Sequence, residues 1–153
     1  MTTSPTPSVR LSPVDATTWR AVAALAVAPD QERFVATPLH YLALCAYGGV
    51  WTAYAATVDD DVVGLLMRGV DDEDGSLWLG GILVDAAHQG RGLGRAMVVT
   101  ALETWTDEAG AAGFALSYEP ANTRAAALYR SLGFVETGEV DDDEVVARRP
   151  AGA

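Results

Sequence analysis

The chain of 153 residues contains no lysine: its ten basic residues are all arginine, set against 21 aspartates and glutamates, for a formal net charge of −11. Such a surface repels nucleic-acid phosphates and anionic lipid headgroups, so neither a nucleic-acid nor a membrane partner is expected, whereas a cationic partner is attracted. Acidity also serves solubility, so charge tilts the substrate question without deciding it. Cysteine is nearly absent too. Cys45 stands alone within the apolar stretch 41–47, which removes any intramolecular disulfide and reads as a buried structural thiol. A nucleophilic thiol would need a nearby base, and His40 lies on another face of the same helix while His88 is far along the chain. With two histidines and one cysteine, no metal site is expected. No apolar run reaches the roughly 18 residues of a membrane span, and no basic segment leads into an apolar one at the N-terminus, so a cytoplasmic location is expected.

What is present fits one domain that buries roughly 70% of its unfolded surface. Residues 1–8, rich in Thr, Ser and Pro, are expected to be a mobile tail, and the domain proper to occupy 9–149. A short strand at 9–11 precedes a helix that starts near Asp15 and runs to Ala28, before Pro29. Pro38 opens a second helix that ends at Gly48-Gly49. Strands at 51–58 and 62–68 flank Asp59 to Asp61 as a hairpin, and 76–85 reads as a buried central strand with a bulge or close approach at Gly80-Gly81. Met97, Val98, Ala101, Leu102 and Trp105 make one helical stripe, 114–118 a strand, and Asn122 caps a helix that Gly133 stops. Strands at 134–137 and 144–148 close a single α/β domain on a mixed sheet.

Residues 84–96, VDAAHQGRGLGRA, carry a buried strand into a Gly-rich turn that opens an amphipathic helix. Glycines at positive φ let successive backbone N–H groups and the positive helix end converge on an anion. A dinucleotide fingerprint would need a third glycine where Arg95 stands, and a P-loop would need Gly-Lys-Ser/Thr; both fail. The turn resembles the acetyl-CoA motif of the GCN5-related N-acetyltransferase (GNAT) superfamily, Gln/Arg-x-x-Gly-x-Gly/Ala, through Gln89, Gly92 and Gly94. A second half-motif of that superfamily, Asn-x-x-Ala-x-x-Leu-Tyr-x-x-x-Gly-Phe, is matched by Asn122, Ala125, Leu128, Tyr129, Gly133 and Phe134. Within the superfamily the chain is most similar to small bacterial spermine/spermidine (diamine) acetyltransferases, through residues 31–36, 63–64 with 71–75, 118–122, 137–139 and 144–148. It departs from them at Gly80-Gly81, where relatives carry larger, often charged side chains.

The resemblance implies a GNAT fold, with a mostly antiparallel sheet flanked by helices and splayed central strands, and acetyl-CoA as co-substrate. It implies that backbone at Leu83 and Val84 holds the pantetheine arm, that Gln89, Gly90, Arg91, Gly92, Leu93, Gly94 and Arg95 hold the pyrophosphate, and that Asn122 contacts the pantetheine. It makes Tyr129 the acid that protonates the sulfur, for a phenol with a pKa of about 10 stays protonated at neutral pH. Tyr129 also lies one residue off the Ala125/Leu128/Leu132 stripe. The general base is not legible: Glu119, Asp85 and Glu32 are candidates, Glu119 foremost, while Asp30 and Glu32 are candidates to anchor an ammonium group. The expected acceptor is the primary amine of a small cation. Another amine (aminoglycoside, amino acid or protein N-terminus) or a non-catalytic acyl-CoA sensor stays open, as does a homodimer. Residues 88–132 hold four arginines and four acids, so the entire acidic excess lies outside the segment expected to meet the polyanionic co-substrate.

Overall fold

Acidic pairs make two tight reversals of the chain. Asp59 and Asp60 have φ of 48° and 70°, Asp142 and Asp143 of 46° and 66°, so each pair forms a two-residue turn of the kind whose twist matches paired strands. The first joins β2 (Thr52–Val58) to β3 (Asp61–Val70), the second β6 (Val135–Asp141) to β7 (Glu144–Arg149). The computed structural model describes residues 8–151, so the expected tail lies, apart from Ser8, outside the described residues. The other elements are β1 (Arg10–Pro13), α1 (Trp19–Ala23), α2 (Pro38–Tyr47), β4 (Leu77–Val84), α3 (Leu93–Ala109), β5 (Phe114–Tyr118) and α4 (Thr123–Ser131).

The strands form one sheet in the order β1-β2-β3-β4-β5-β7-β6. Every neighbouring pair is antiparallel except β4 with β5, which run parallel and meet only at Leu77 with Phe114 and Trp78 with Ala115. Beyond Trp78 the two strands diverge, which opens the centre of the sheet towards the C-terminal ends of both. A bulge reinforces the divergence: Leu65 pairs with Leu83 and Met67 with Gly80, so the chain around Gly81, at φ 55°, is longer than its partner.

Each sheet face has its own core. The predicted stripe Met97, Val98, Ala101, Leu102 and Trp105 is buried against Leu66, Leu77, Leu79, Phe114 and Leu116, and each such side chain contributes roughly 1.5–3 kcal/mol by leaving water. On the other face Val22 and Leu25 cover Ala53, Ala55, Leu65 and Leu83.

Two expectations are corrected. The first helix ends at Ala23, not Ala28. Ala26 donates its N–H to Asp85 Oδ1 (3.0 Å) and accepts from the Ala86 N–H (2.7 Å), so pairing to the end of β4 draws the chain out of helix and into a 3-10 turn at Pro29–Phe34. The last hairpin is also longer than read: β6 continues to Asp141, with an irregularity between Glu136 and Val140 that takes up Gly138 at φ 88°.

Candidate active site

The opening between β4 and β5 contains two cavities that share a wall. The first, of about 220 Å³, is lined by Ile82, Leu83 and Val84 of β4, by Gln89, Gly90, Gly92, Leu93 and Gly94 of the turn into α3, and by Asn122, Leu128 and Tyr129. Gly90 and Gly92 have φ of 81° and 74°, and nothing lies within 4 Å of where a Cβ would stand on either. Conformation therefore demands glycine, and the space above the turn is open to a ligand. Gly92 caps α3 without a side-chain bond, and the N–H groups of Leu93, Gly94 and Arg95 find no acceptor among the described residues. Arg91, Arg95 and Arg124 make no ion pair with a described carboxylate; Arg95 instead donates to Ser131 Oγ (2.8 Å). Free amides at a helix start, beside unpaired guanidinium groups, suit a pyrophosphate.

Gln89 anchors the turn by donating from Nε2 to the Val84 carbonyl (3.1 Å) and to Gln31 Oε1 (2.7 Å). Asp85 donates its N–H to the Val63 carbonyl on β3 (2.8 Å). Strand alternation then turns the Leu83 peptide groups towards β3 and those of Val84 towards the opening. Of the two residues expected to hold a pantetheine arm, Val84 offers its backbone to the cleft and Leu83 a buried side chain to its floor.

The second cavity, of about 400 Å³, lies on the far side of Tyr129 and Asn122, which line both. Phe34, Tyr41, Trp51 and Trp78 give it aromatic walls, and Glu119, Asp141, Asp142 and Glu144 bring carboxylates to it. Gly80 and Gly81 form its floor: a Cβ on Gly80 would stand 3.1 Å from the Trp51 ring, and one on Gly81 3.0 Å from Met67. Trp51 and Met67 thus occupy the room that side chains on β4 would take. Trp78 Nε1 is the buried side-chain donor that lacks a partner among the described residues.

Tyr129 is buried, with its ring against Tyr118 (5.6 Å between centroids) and Phe134 (6.1 Å), yet its hydroxyl bonds to no described residue. Burial pushes its phenol well above the usual range, with the charges of Glu144 and of the Tyr118 and Tyr41 phenols in their ionised forms acting in the same sense. Tyr118 is pushed up to about 12 by burial and by its bond to Glu136 (2.6 Å). Glu144 accepts from Ser117 Oγ (2.9 Å), and burial raises its carboxyl above the ordinary value, an effect that Glu119, Asp141 and Asp142 reinforce.

The profile of the Acetyltransferase (GNAT) family matches residues 17–134. The chain belongs to that family. It is 30% identical over 89 residues to the spermine/spermidine N(1)-acetyltransferase of Bacillus subtilis, a match that spans 54% of this chain and 59% of that protein. Among solved structures it is similar to the spermidine N-acetyltransferase of Vibrio cholerae in complex with CoA and spermine (18% identity, TM-score 0.70, covering 92% of this chain and 93% of that one). It is also similar to AAC(6')-Ib in complex with paromomycin and acetyl-CoA (19% identity, TM-score 0.77, covering 94% of both). At such identities these likenesses concern the GNAT fold.

The motif residues Gln89, Gly92 and Gly94, with Asn122 and Tyr129, line one cleft. Asn122 is committed in part to capping α4, accepting from the Ala125 N–H (3.2 Å). Glu119 lines the second cavity, half-buried. Asp85 does not line it; its carboxylate holds Ala26 and lies 3.3 Å from His88 Nδ1. Asp30 and Glu32 are exposed and line neither cavity. In the 3-10 turn residues three apart share a face, and here the inward face belongs to Gln31 and Phe34. Sequence reading missed Gln31, Phe34, Trp51 and Glu144. Only the spacing of Gln31 and Phe34 hinted at their role, since the others reach the site through sheet register.

Proposed function

We propose that this GNAT protein transfers the acetyl group of acetyl-CoA to a primary amine of a small cationic acceptor, a polyamine being the leading class. The observation that carries the reading is the meeting of two unlike cavities at Tyr129: amides and arginines fit for phosphate on one side, aromatic rings and carboxylates fit for an ammonium ion on the other. The likeness to spermine/spermidine acetyltransferases supports the acceptor class. When bound, acetyl-CoA supplies an activated acyl carbon and a thiol leaving group.

The residues of the chain would do the rest. The turn from Gln89 to Arg95 would hold the pyrophosphate, with Arg91 and Arg95 at its rim. Val84 and Asn122 would orient the pantetheine arm and polarise the acetyl carbonyl from the backbone. Tyr129, kept protonated by burial, would donate to the departing sulfur. Glu119 would draw the ammonium into the cavity, with Asp30 and Glu32 adding negative charge on the outside. The test is thiol release from acetyl-CoA over a panel of diamines, polyamines, aminoglycosides, amino acids and N-terminal peptides. Polyamines above all others support the reading, another amine replaces the acceptor class, and CoA binding without turnover on any amine makes the protein a sensor.

A further inference from the structure

An amine that enters as an ammonium ion must lose a proton before it can attack, and β4 offers nothing to take it. From Leu79 to Val84 this strand carries no ionisable side chain, and Gly80 and Gly81 line the second cavity. A side chain that takes the proton must come from the opposite wall. His40, Asp141 and Asp142 line the cavity but are exposed to solvent, and Asp85 and Glu32 do not line it. Glu119 lines it from the loop after β5, half-buried, with no hydrogen bond to a described residue that would aim its carboxylate.

Glu144 differs. It is the first residue of β7, held in register by Ser117–Val146 and Tyr118–Val145 pairing, and Ser117 Oγ donates to its Oε1 (2.9 Å). That bond fixes the carboxylate against the sheet and leaves Oε2 for another donor. The titratable groups facing it are His40 and Tyr41 from α2, Glu119 beyond β5, Tyr129 on α4, and Asp141 and Asp142 in its own hairpin. Resting on the acetyltransferase reading above, we propose that Glu144, reaching in from β7, is the general base that takes the proton of the acceptor ammonium ion, with Ser117 positioning its carboxylate.

The steps balance. One N–H bond of the ammonium breaks, its proton passes to Oε2 of Glu144, and the freed lone pair forms the C–N bond. The C–S bond then breaks, its electron pair stays on sulfur, and Tyr129 protonates that sulfur. The surplus proton on the new amide nitrogen restores the Tyr129 phenol, and Glu144 releases its proton to water, for a net yield of amide, thiol and one proton. Burial and the surrounding acids raise the Glu144 carboxyl, which brings a carboxylate closer in basicity to the amine it serves.

The test compares wild type, Glu144→Gln, Glu144→Asp and Glu119→Gln by kcat/KM against pH, and by thermal melting without ligands at pH 4 and pH 7. Wild-type kcat/KM should fall on an acid limb lying above the ordinary glutamate value. Glu144→Gln, which keeps an oxygen for Ser117, should lose about 10²- to 10³-fold. Its acid limb should give way to a rise that continues towards the amine's own pKa of about 10. Glu144→Asp should recover part of the rate, and Glu119→Gln should raise KM for the amine while keeping the limb. Because a raised carboxyl pKa favours the protonated fold, Glu144→Gln should melt higher than wild type at pH 7 and level with it at pH 4, a readout that needs no turnover. A Glu144→Gln enzyme that folds, stays within about threefold of wild type and keeps the limb overturns the assignment, as does loss of the limb in Glu119→Gln. Wild type inactive on every amine overturns the acetyltransferase reading instead, and the assignment with it.

Discussion

Tyr129 packs like a core residue, between Tyr118 and Phe134, while its hydroxyl has no partner among the described residues at the junction of two cavities. Packing accounts for the ring and not for the oxygen. Tyr129→Phe keeps the ring contacts and should lower kcat about 10²-fold while CoA affinity, measured by calorimetry, stays within about twofold. Gly92 makes the complementary case for backbone. At φ 74°, an added side chain meets no neighbour and still costs roughly 1–2 kcal/mol of conformational strain. Gly92→Val should therefore lower the melting temperature by several degrees and weaken CoA binding, because the first amides of α3 lose their aim.

At the scale of elements, the amphipathic stripe of α3, the Asn122 cap of α4 and the Asp59–Asp60 reversal were legible because each is written in neighbouring residues. Their burial, cap bond and dihedral angles agree with the pattern. The first cavity was legible for the same reason, since its glycine turn and helix start occupy one contiguous segment. The second cavity is assembled by sheet register and by the divergence of β4 from β5, so Trp51 and Glu144 reach it from distant parts of the chain. The early end of α1 follows from the bonds of Ala26 to Asp85 and Ala86, a pairing that local propensity does not encode. Local conformation can still be tuned. Asp60 holds φ of 70°, and Asp60→Gly should stabilise the β2–β3 hairpin by up to about 1 kcal/mol, measured by urea unfolding with an unchanged m-value.

For the whole molecule, the net charge of −11 divides into a balanced segment at residues 88–132 and an acidic remainder. Part of that acid is turn chemistry at Asp59–Asp60 and Asp142–Asp143, part lines the second cavity, and part supports the fold. Three exposed carboxylates are held below their ordinary values: Asp15 chiefly by the Thr17 hydroxyl, Asp74 by Ser76, and Glu139 by Arg148. The stability they lend is present above the unfolded carboxylate pKa and lost as pH falls through their lowered values, opposite in sign to Glu144. Asp74→Asn should accordingly flatten the acid side of melting temperature against pH. Attraction of a cation to an acidic body is screened by salt, so KM for the amine should rise several-fold from low to physiological ionic strength. The central claim, that the acid-lined cavity delivers a cationic amine to acetyl-CoA at Tyr129, is tested most directly by thiol release over the amine panel. Turnover should be strongest with polyamines and about 10²-fold slower in Tyr129→Phe; turnover confined to neutral or anionic acceptors, or unchanged in Tyr129→Phe, would refute that role of the cavity.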